Sequence, residues 1–177
     1  RMLDHVQEVA GDSIKAIYGI YEANSSESSI VLKTENGEFD IPCLRQQADK
    51  RDAEASYFAL NDFVMPDTCG RTDYVGLFAV TAGTQIASII DNYKRSGDDY
   101  SALLLQSLSD RLAEAATEYL HYHIRTRLWG YAPEEKFDVR ELLKEHYDGI
   151  RPAMGYPSLR DDSLSFLFYR ILDYSPV

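Results

Sequence analysis

Apolar residues change their spacing part-way along the chain. From Lys15 to Ala82 they fall in short runs bounded by polar or turn residues, as strands require; beyond Gly83 they recur at three- and four-residue steps, as helices require. Residues 15–21, rich in Ile and Tyr, predict a first strand, polar residues 24–29 a loop, and residues 29–34 a second strand. Asn36-Gly37 predicts a hairpin turn with positive φ at both positions. Residues 39–44 then form the returning strand, with Pro42 marking it as an edge. The charged residues 46–54 read as a solvated turn. Residues 73–82 are the most apolar strand candidate and are expected at the centre of the sheet.

The helical part is equally periodic. Leu3, Val6 and Val9 suit a short amphipathic helix over 2–10 that Gly11 ends. Ile86, Ile89, Ile90 and Tyr93 predict a helix over 84–96. The longest candidate spans 98–129, roughly 45 Å, with Leu104, Leu108, Leu112, Ala115 and Tyr119 on one stripe and Gly130 as its C-terminal cap. A short helix over 138–146 would be N-capped by Asp138, and 163–172 would be a last amphipathic helix. Strands early and helices late make the fold class α+β.

Length and composition narrow the functions. The chain has 177 residues, 45% of them hydrophobic and 27% charged, which suits a folded domain and not a disordered chain. Its net charge of −11 argues against nucleic acid or an anionic membrane as partner. No apolar run approaches the roughly 20 residues of a membrane helix, and no signal peptide is visible. Cys43 and Cys69 read as free thiols, with a single disulfide between them as the alternative, and the chain is expected in the cytoplasm.

Few residues offer chemistry. Residues 149–157 hold two glycines and two prolines, which specify a backbone shape, around Arg151 and Tyr156. Such a loop could offer backbone groups and a guanidinium to a carboxylate; a plain turn with Arg151 in a surface pair is the alternative. Asp62, in a largely apolar stretch, either caps a turn or meets a cation. Ser107, Asp110, Glu114, Glu118 and His121 form a polar stripe on the long helix, which could equally be a solvated face. His121 and His123 point to different sides, and Glu145-His146 lacks a second histidine at four-residue spacing, so no metal site is expected. No glycine-rich phosphate loop or CxxC is present.

Several segments, in order, resemble the S-adenosylmethionine-binding activation domain of cobalamin-dependent methionine synthase. They are Leu44-Arg45-Gln46-Gln47, Asp62-Phe63-Val64 and Phe78-Ala79-Val80-Thr81-Ala82-Gly83. Asp110-Arg111-Leu112-Ala113-Glu114-Ala115 follows, with Glu118-Tyr119-Leu120-His121 and Trp129-Gly130-Tyr131-Ala132-Pro133. Gly149-Ile150-Arg151-Pro152-Ala153 and Gly155-Tyr156-Pro157 complete the likeness, which covers residues 15–160.

The resemblance implies a curved single domain over 1–177, built around a twisted antiparallel sheet with long helices. Residues 1–14 would be an N-terminal helical segment and 161–177 a terminal helix, with the family's downstream, tyrosine-bearing segment absent. It implies S-adenosylmethionine as ligand, contacted by Asp62, Arg151, Ala153, Gly155 and Tyr156, with no catalytic acid or base. It implies reductive remethylation of cob(II)alamin, a step in methionine biosynthesis by the methyltransferase that joins 5-methyltetrahydrofolate and homocysteine. The cobalamin belongs to a partner corrinoid module, toward which Asp110 and Glu114 would face, and electrons would come from a flavodoxin-like donor. Met154 stands where the family often has proline. The homocysteine, folate and corrinoid modules are not in this sequence, so the chain alone would not make methionine. The alternative is an interaction module that docks on a corrinoid protein without binding S-adenosylmethionine.

Overall fold

The computed structural model of the chain describes residues 14–47, 56–173 and 175. The helix expected over 2–10 and most of the charged turn over 46–54 lie outside them. The described residues are α+β and fall into two compact units. Of the described residues, one unit draws on those between 18 and 77 and between 149 and 175, the other on 14–17 and 78–148.

Four strands form a sheet in the order β3-β2-β1-β4: β1 (Lys15–Ser25), β2 (Ser29–Thr34), β3 (Gly37–Pro42) and β4 (Asp73–Thr81). The pairs β1–β2 and β2–β3 are antiparallel, with Ala23 opposite Leu32 and Ile30 opposite Ile41. β1 runs past its expected end because Asn24 and Ser25 pair with Val31 and Ile30. Their polar side chains are used as well: Asn24 Nδ2 donates to the carbonyls of Met65 and Arg71, and Ser25 Oγ to that of Val64.

Two expectations for the strands need correction. Thr34 faces Gly37, so the turn residues are Glu35 and Asn36, and only Gly37 has positive φ (113°). The Thr34 hydroxyl closes the turn instead, accepting from Asn36 N–H at 3.1 Å and donating to Gly37 O at 2.9 Å. β4 is an edge strand, not the centre of the sheet. Its residues are mostly half-buried and none is fully buried. An apolar run reports cover on both faces, which an edge strand can also have. β3, with Pro42, is the other edge, as the proline requires.

In the first unit, Ala23, Ile30, Leu32 and Ile41 bury together with Cys43, Ala59, Val64, Leu159 and Leu164. The last helix of this unit, Leu164–Leu172, adds Leu167, Phe168 and Ile171 to that core while Phe166 faces outward.

In the second unit, α1 (Thr84–Arg95) and α2 (Asp99–His123) form a helical hairpin. Asp98 caps α2 by accepting from Ser101 N–H at 3.0 Å. Ile86 and Ile90 pack with Ala102 and Leu105, supported by Leu108 and Leu112. Leu104, Ala115 and Tyr119, expected on the apolar stripe, are exposed; the buried face instead begins at Ala102 and Leu105. The long helix also ends differently: from Ile124 to Leu128 it widens into a π-helix, and Gly130 (φ 78°) closes it. Asp138 caps the short helix α3 (Val139–Leu143) as predicted, accepting from Arg140 N–H at 2.8 Å. The helix Leu164–Leu172 is α4.

Candidate functional site

Asp62 sits in a 3-10 turn, Leu60–Phe63, that hydrogen bonds hold against the end of β1. Asn61, buried beside it, donates to the carbonyls of Ser26 and Glu27 at 2.9 and 3.1 Å. Ser25 N–H donates to Met65 O at 2.9 Å. The carboxylate then does both things that its setting allowed. It caps the turn, accepting from Ala59 N–H through Oδ2 at 2.9 Å. It also meets a cation: Arg45 Nη1 donates to Oδ2 at 2.6 Å and Nη2 to Oδ1 at 2.8 Å. The Arg45 hydrogen bond first, and the Ala59 N–H second, hold the Asp62 carboxyl below its ordinary value.

Arg45 is itself anchored. Its Nη1 donates to Tyr57 O at 2.7 Å, and the next residue ties the same two segments through Gln46 N–H to Phe58 O at 2.9 Å. A carboxylate offers about four acceptor positions. Among the described residues, Oδ2 has two donors and Oδ1 one, so Oδ1 can accept one more.

The loop 149–157 belongs to the same unit. Gly149 and Gly155 take φ of 95° and 87°, which only glycine adopts without strain. Gly155 N–H donates to Leu159 O at 2.9 Å and Leu159 N–H to Tyr156 O at 2.9 Å, so Gly155 to Leu159 close a small ring, and Tyr156 N–H donates back to Ala153 O at 3.3 Å. Ala153, Gly155 and Tyr156 are exposed and Arg151 is half-buried. Leu159 anchors this ring in the core that also takes Ala59 and Val64, the residues flanking Asp62. Asp62 and the loop are thus moored to one hydrophobic cluster. The helix after the loop starts from Asp161, whose carboxylate accepts from Ser163 N–H at 2.9 Å and Ser163 Oγ at 2.6 Å.

Asp110 and Glu114 lie in the other unit, exposed on α2. Asp110 Oδ1 accepts from Gln106 Nε2 at 3.0 Å, and Glu114 Oε2 from Arg111 Nη1 at 2.6 Å. The polar stripe they belong to does not stay in solvent. Glu118 is half-buried, and His121 is buried, edge-on to Tyr147 and stacked with Phe78.

A family model described as vitamin B12 dependent methionine synthase, activation domain, matches residues 1–176. The chain belongs to this family. It is also similar, at 33% identity and a TM-score of 0.88, to the solved MetH reactivation domain bound to AdoHcy. That likeness covers 97% of this chain and 55% of the other, so the chain spans about half the length of the solved relative.

Two features of this activation domain escape a reading by motif. Arg45 lies in a matching segment, but its partner is 17 residues away, and no local pattern pairs them. The Trp129-to-Pro133 segment is tied by its backbone to one member of a buried ion pair. Ala132 N–H donates to Arg125 O at 2.9 Å, and Arg125 donates to Glu135 through Nε at 2.7 Å and Nη2 at 2.5 Å. Burial alone would make Arg125 easier to deprotonate; the Glu135 hydrogen bonds and charge outweigh it and raise its pKa. Among the described residues, no group of three His, Cys, Asp or Glu could hold a metal ion, and no helix is long and apolar enough to cross a membrane. Both cysteines are free, Cys43 buried and Cys69 exposed.

Proposed function

We propose that this activation domain binds S-adenosylmethionine in the unit that holds Asp62 and the 149–157 loop, and serves the reductive remethylation of cobalamin. The observation that carries the reading is the likeness to a reactivation domain bound to AdoHcy, which is S-adenosylmethionine without its methyl group. The family match over residues 1–176 supports taking both units as parts of one activation-type module.

The chemistry of the residues suits the ligand. Arg151 offers a planar fork for the ligand's carboxylate. The open acceptor on Asp62 Oδ1 suits its ammonium group. The exposed backbone of Ala153, Gly155 and Tyr156 can lie flat against a ligand because the loop turns at Gly155 without a side chain. None of these groups needs to move a proton. In the reaction a corrinoid held by a separate module supplies the reduced cobalt that takes the sulfonium methyl, releasing S-adenosylhomocysteine. The domain's share is to hold the methyl in line, which is catalysis by positioning.

Asp110 and Glu114, exposed and one helical turn apart, are assigned to docking on the corrinoid module. A flavodoxin-like protein is the proposed electron donor and the cytoplasm the proposed location. Calorimetric titration of the chain with S-adenosylmethionine tests the reading. Saturable binding that Asp62→Asn and Arg151→Ala both weaken is expected. Absence of binding at millimolar ligand would overturn it and leave a module that only docks.

A further inference from the structure

We infer that Arg45 is a positioning residue for the ligand site: its guanidinium fixes the plane of the Asp62 carboxylate so that a single acceptor position, on Oδ1, faces incoming donors. The inference rests on the reading of Asp62 as a ligand contact and adds a residue to it.

The geometry is a three-point grip. Two parallel N–H donors from Arg45 and one from Ala59 fix both oxygens, so the carboxylate cannot rotate about its own axis. Arg45 is held in turn by Tyr57 O, and its segment by the Gln46–Phe58 bond. Folding does not require this pair. The Arg45 and Asp62 side chains are 47% and 32% exposed, and ion pairs so open to water add little to stability. An anchored fork at an exposed carboxylate makes sense where the direction of the remaining lone pair matters.

The pair has an electrostatic consequence that sharpens the test. Arg45 neutralises Asp62, so the site draws a cation less strongly than a bare carboxylate would. Selection then depends on where a donor sits more than on its charge. Removing the guanidinium charge would raise the attraction and loosen the geometry together, and the two effects would oppose each other. Arg45→Lys separates them, because the charge stays while the fork is lost.

The experiment uses the whole chain and S-adenosylmethionine as probe. Arg45→Lys is expected to bind roughly five- to tenfold more weakly than wild type, with an unchanged thermal midpoint. In an Asp62→Asn background the same substitution is expected to have no further effect, since Arg45 acts through Asp62. In Arg45→Met without ligand, the Asp62 carboxyl followed by carbon-13 NMR is expected to titrate at higher pH than in wild type. Unchanged affinity in Arg45→Lys, with Asp62→Asn weakened, overturns the inference and leaves the Asp62 reading standing. An equal loss in the Asp62→Asn background also overturns it, because Arg45 would then act by another route. Wild-type affinity in Asp62→Asn overturns the Asp62 reading and the inference with it.

Discussion

Arg125 has no exposed side-chain surface, and its Nε and Nη2 grip both carboxylate oxygens of Glu135 ten residues ahead. The ring of Tyr147 lies 4.0 Å from the guanidinium carbon. Removing one member of such a pair strands a buried charge, whereas replacing both with apolar residues does not. Glu135→Ala is therefore expected to cost about 3 kcal/mol of unfolding free energy. Arg125→Met with Glu135→Leu is expected to cost clearly less than Glu135→Ala alone. Urea unfolding of the three proteins checks the order; a double variant less stable than the single one would show that a stranded charge is not the main cost of Glu135→Ala.

Gly155→Ala should deform the loop. The backbone there has φ of 87°, and an added Cβ would stand 3.2 Å from Asp162 Oδ1. The left-handed backbone alone costs an ordinary residue about 1–2 kcal/mol. Affinity for S-adenosylmethionine is expected to fall several-fold with little change in far-ultraviolet circular dichroism, since the loop carries no regular structure.

Arg151→Ala is expected to weaken S-adenosylmethionine roughly 10- to 150-fold, the usual cost of losing a charged partner. Calorimetry at matched salt measures it. Wild-type affinity in this variant would remove Arg151 from the site.

Acid should act on Asp62 with a definite sign. Its carboxyl is held below the ordinary value by Arg45 and then by Ala59 N–H. The stabilisation is thus fully present above the ordinary aspartate value, about 3.9, and is lost as pH falls through the lower folded-state value. The stability gap between wild type and Asp62→Asn is expected to be level above about pH 5 and to narrow below about pH 4. A gap that persists unchanged to pH 2 would show that the ionised form is not the one the fold favours.

Asp110→Asn with Glu114→Gln should leave S-adenosylmethionine affinity unchanged, since both residues lie in the unit that does not hold Asp62 and the 149–157 loop. Reductive methylation of the corrinoid partner is expected to slow, and association with it to lose part of its salt dependence. Equal rates in wild type and the double variant at low and high salt would return both residues to a solvated helix face.

Much of the fold was legible because local chemistry decides it. β2 keeps its predicted bounds because Ile30 and Leu32 alternate with Val31 and Lys33, and α1 and α3 begin beside Gly83 and Asp138 as expected. The failures share a cause, which is information held at a distance. Thr34, two residues back, closes the hairpin, so the Asn36-Gly37 pattern alone misplaces the turn. β4 is apolar because both its faces are partly covered, and its own sequence does not say whether a strand lies beyond it. Asp62 left open the choice between capping and pairing. It makes both bonds, one to a backbone three residues away and one to a side chain that only the fold brings near.

The π-helix at Ile124–Leu128 gives α2 an unequal tolerance of insertions and deletions. Losing one residue inside the regular α-helical part turns everything beyond it by roughly 100°, so a loss just after Leu105 takes Leu108 and Leu112 off the face that packs on the partner helix. A wide turn already holds surplus chain, so losing Thr126 or Arg127 tightens it toward ordinary pitch and leaves the Trp129–Gly130 exit in phase. A one-residue deletion scan along the helix should therefore show folded, soluble protein recovering at this seam. Length variation among relatives is expected to gather there and to be scarce in the two turns on its N-terminal side.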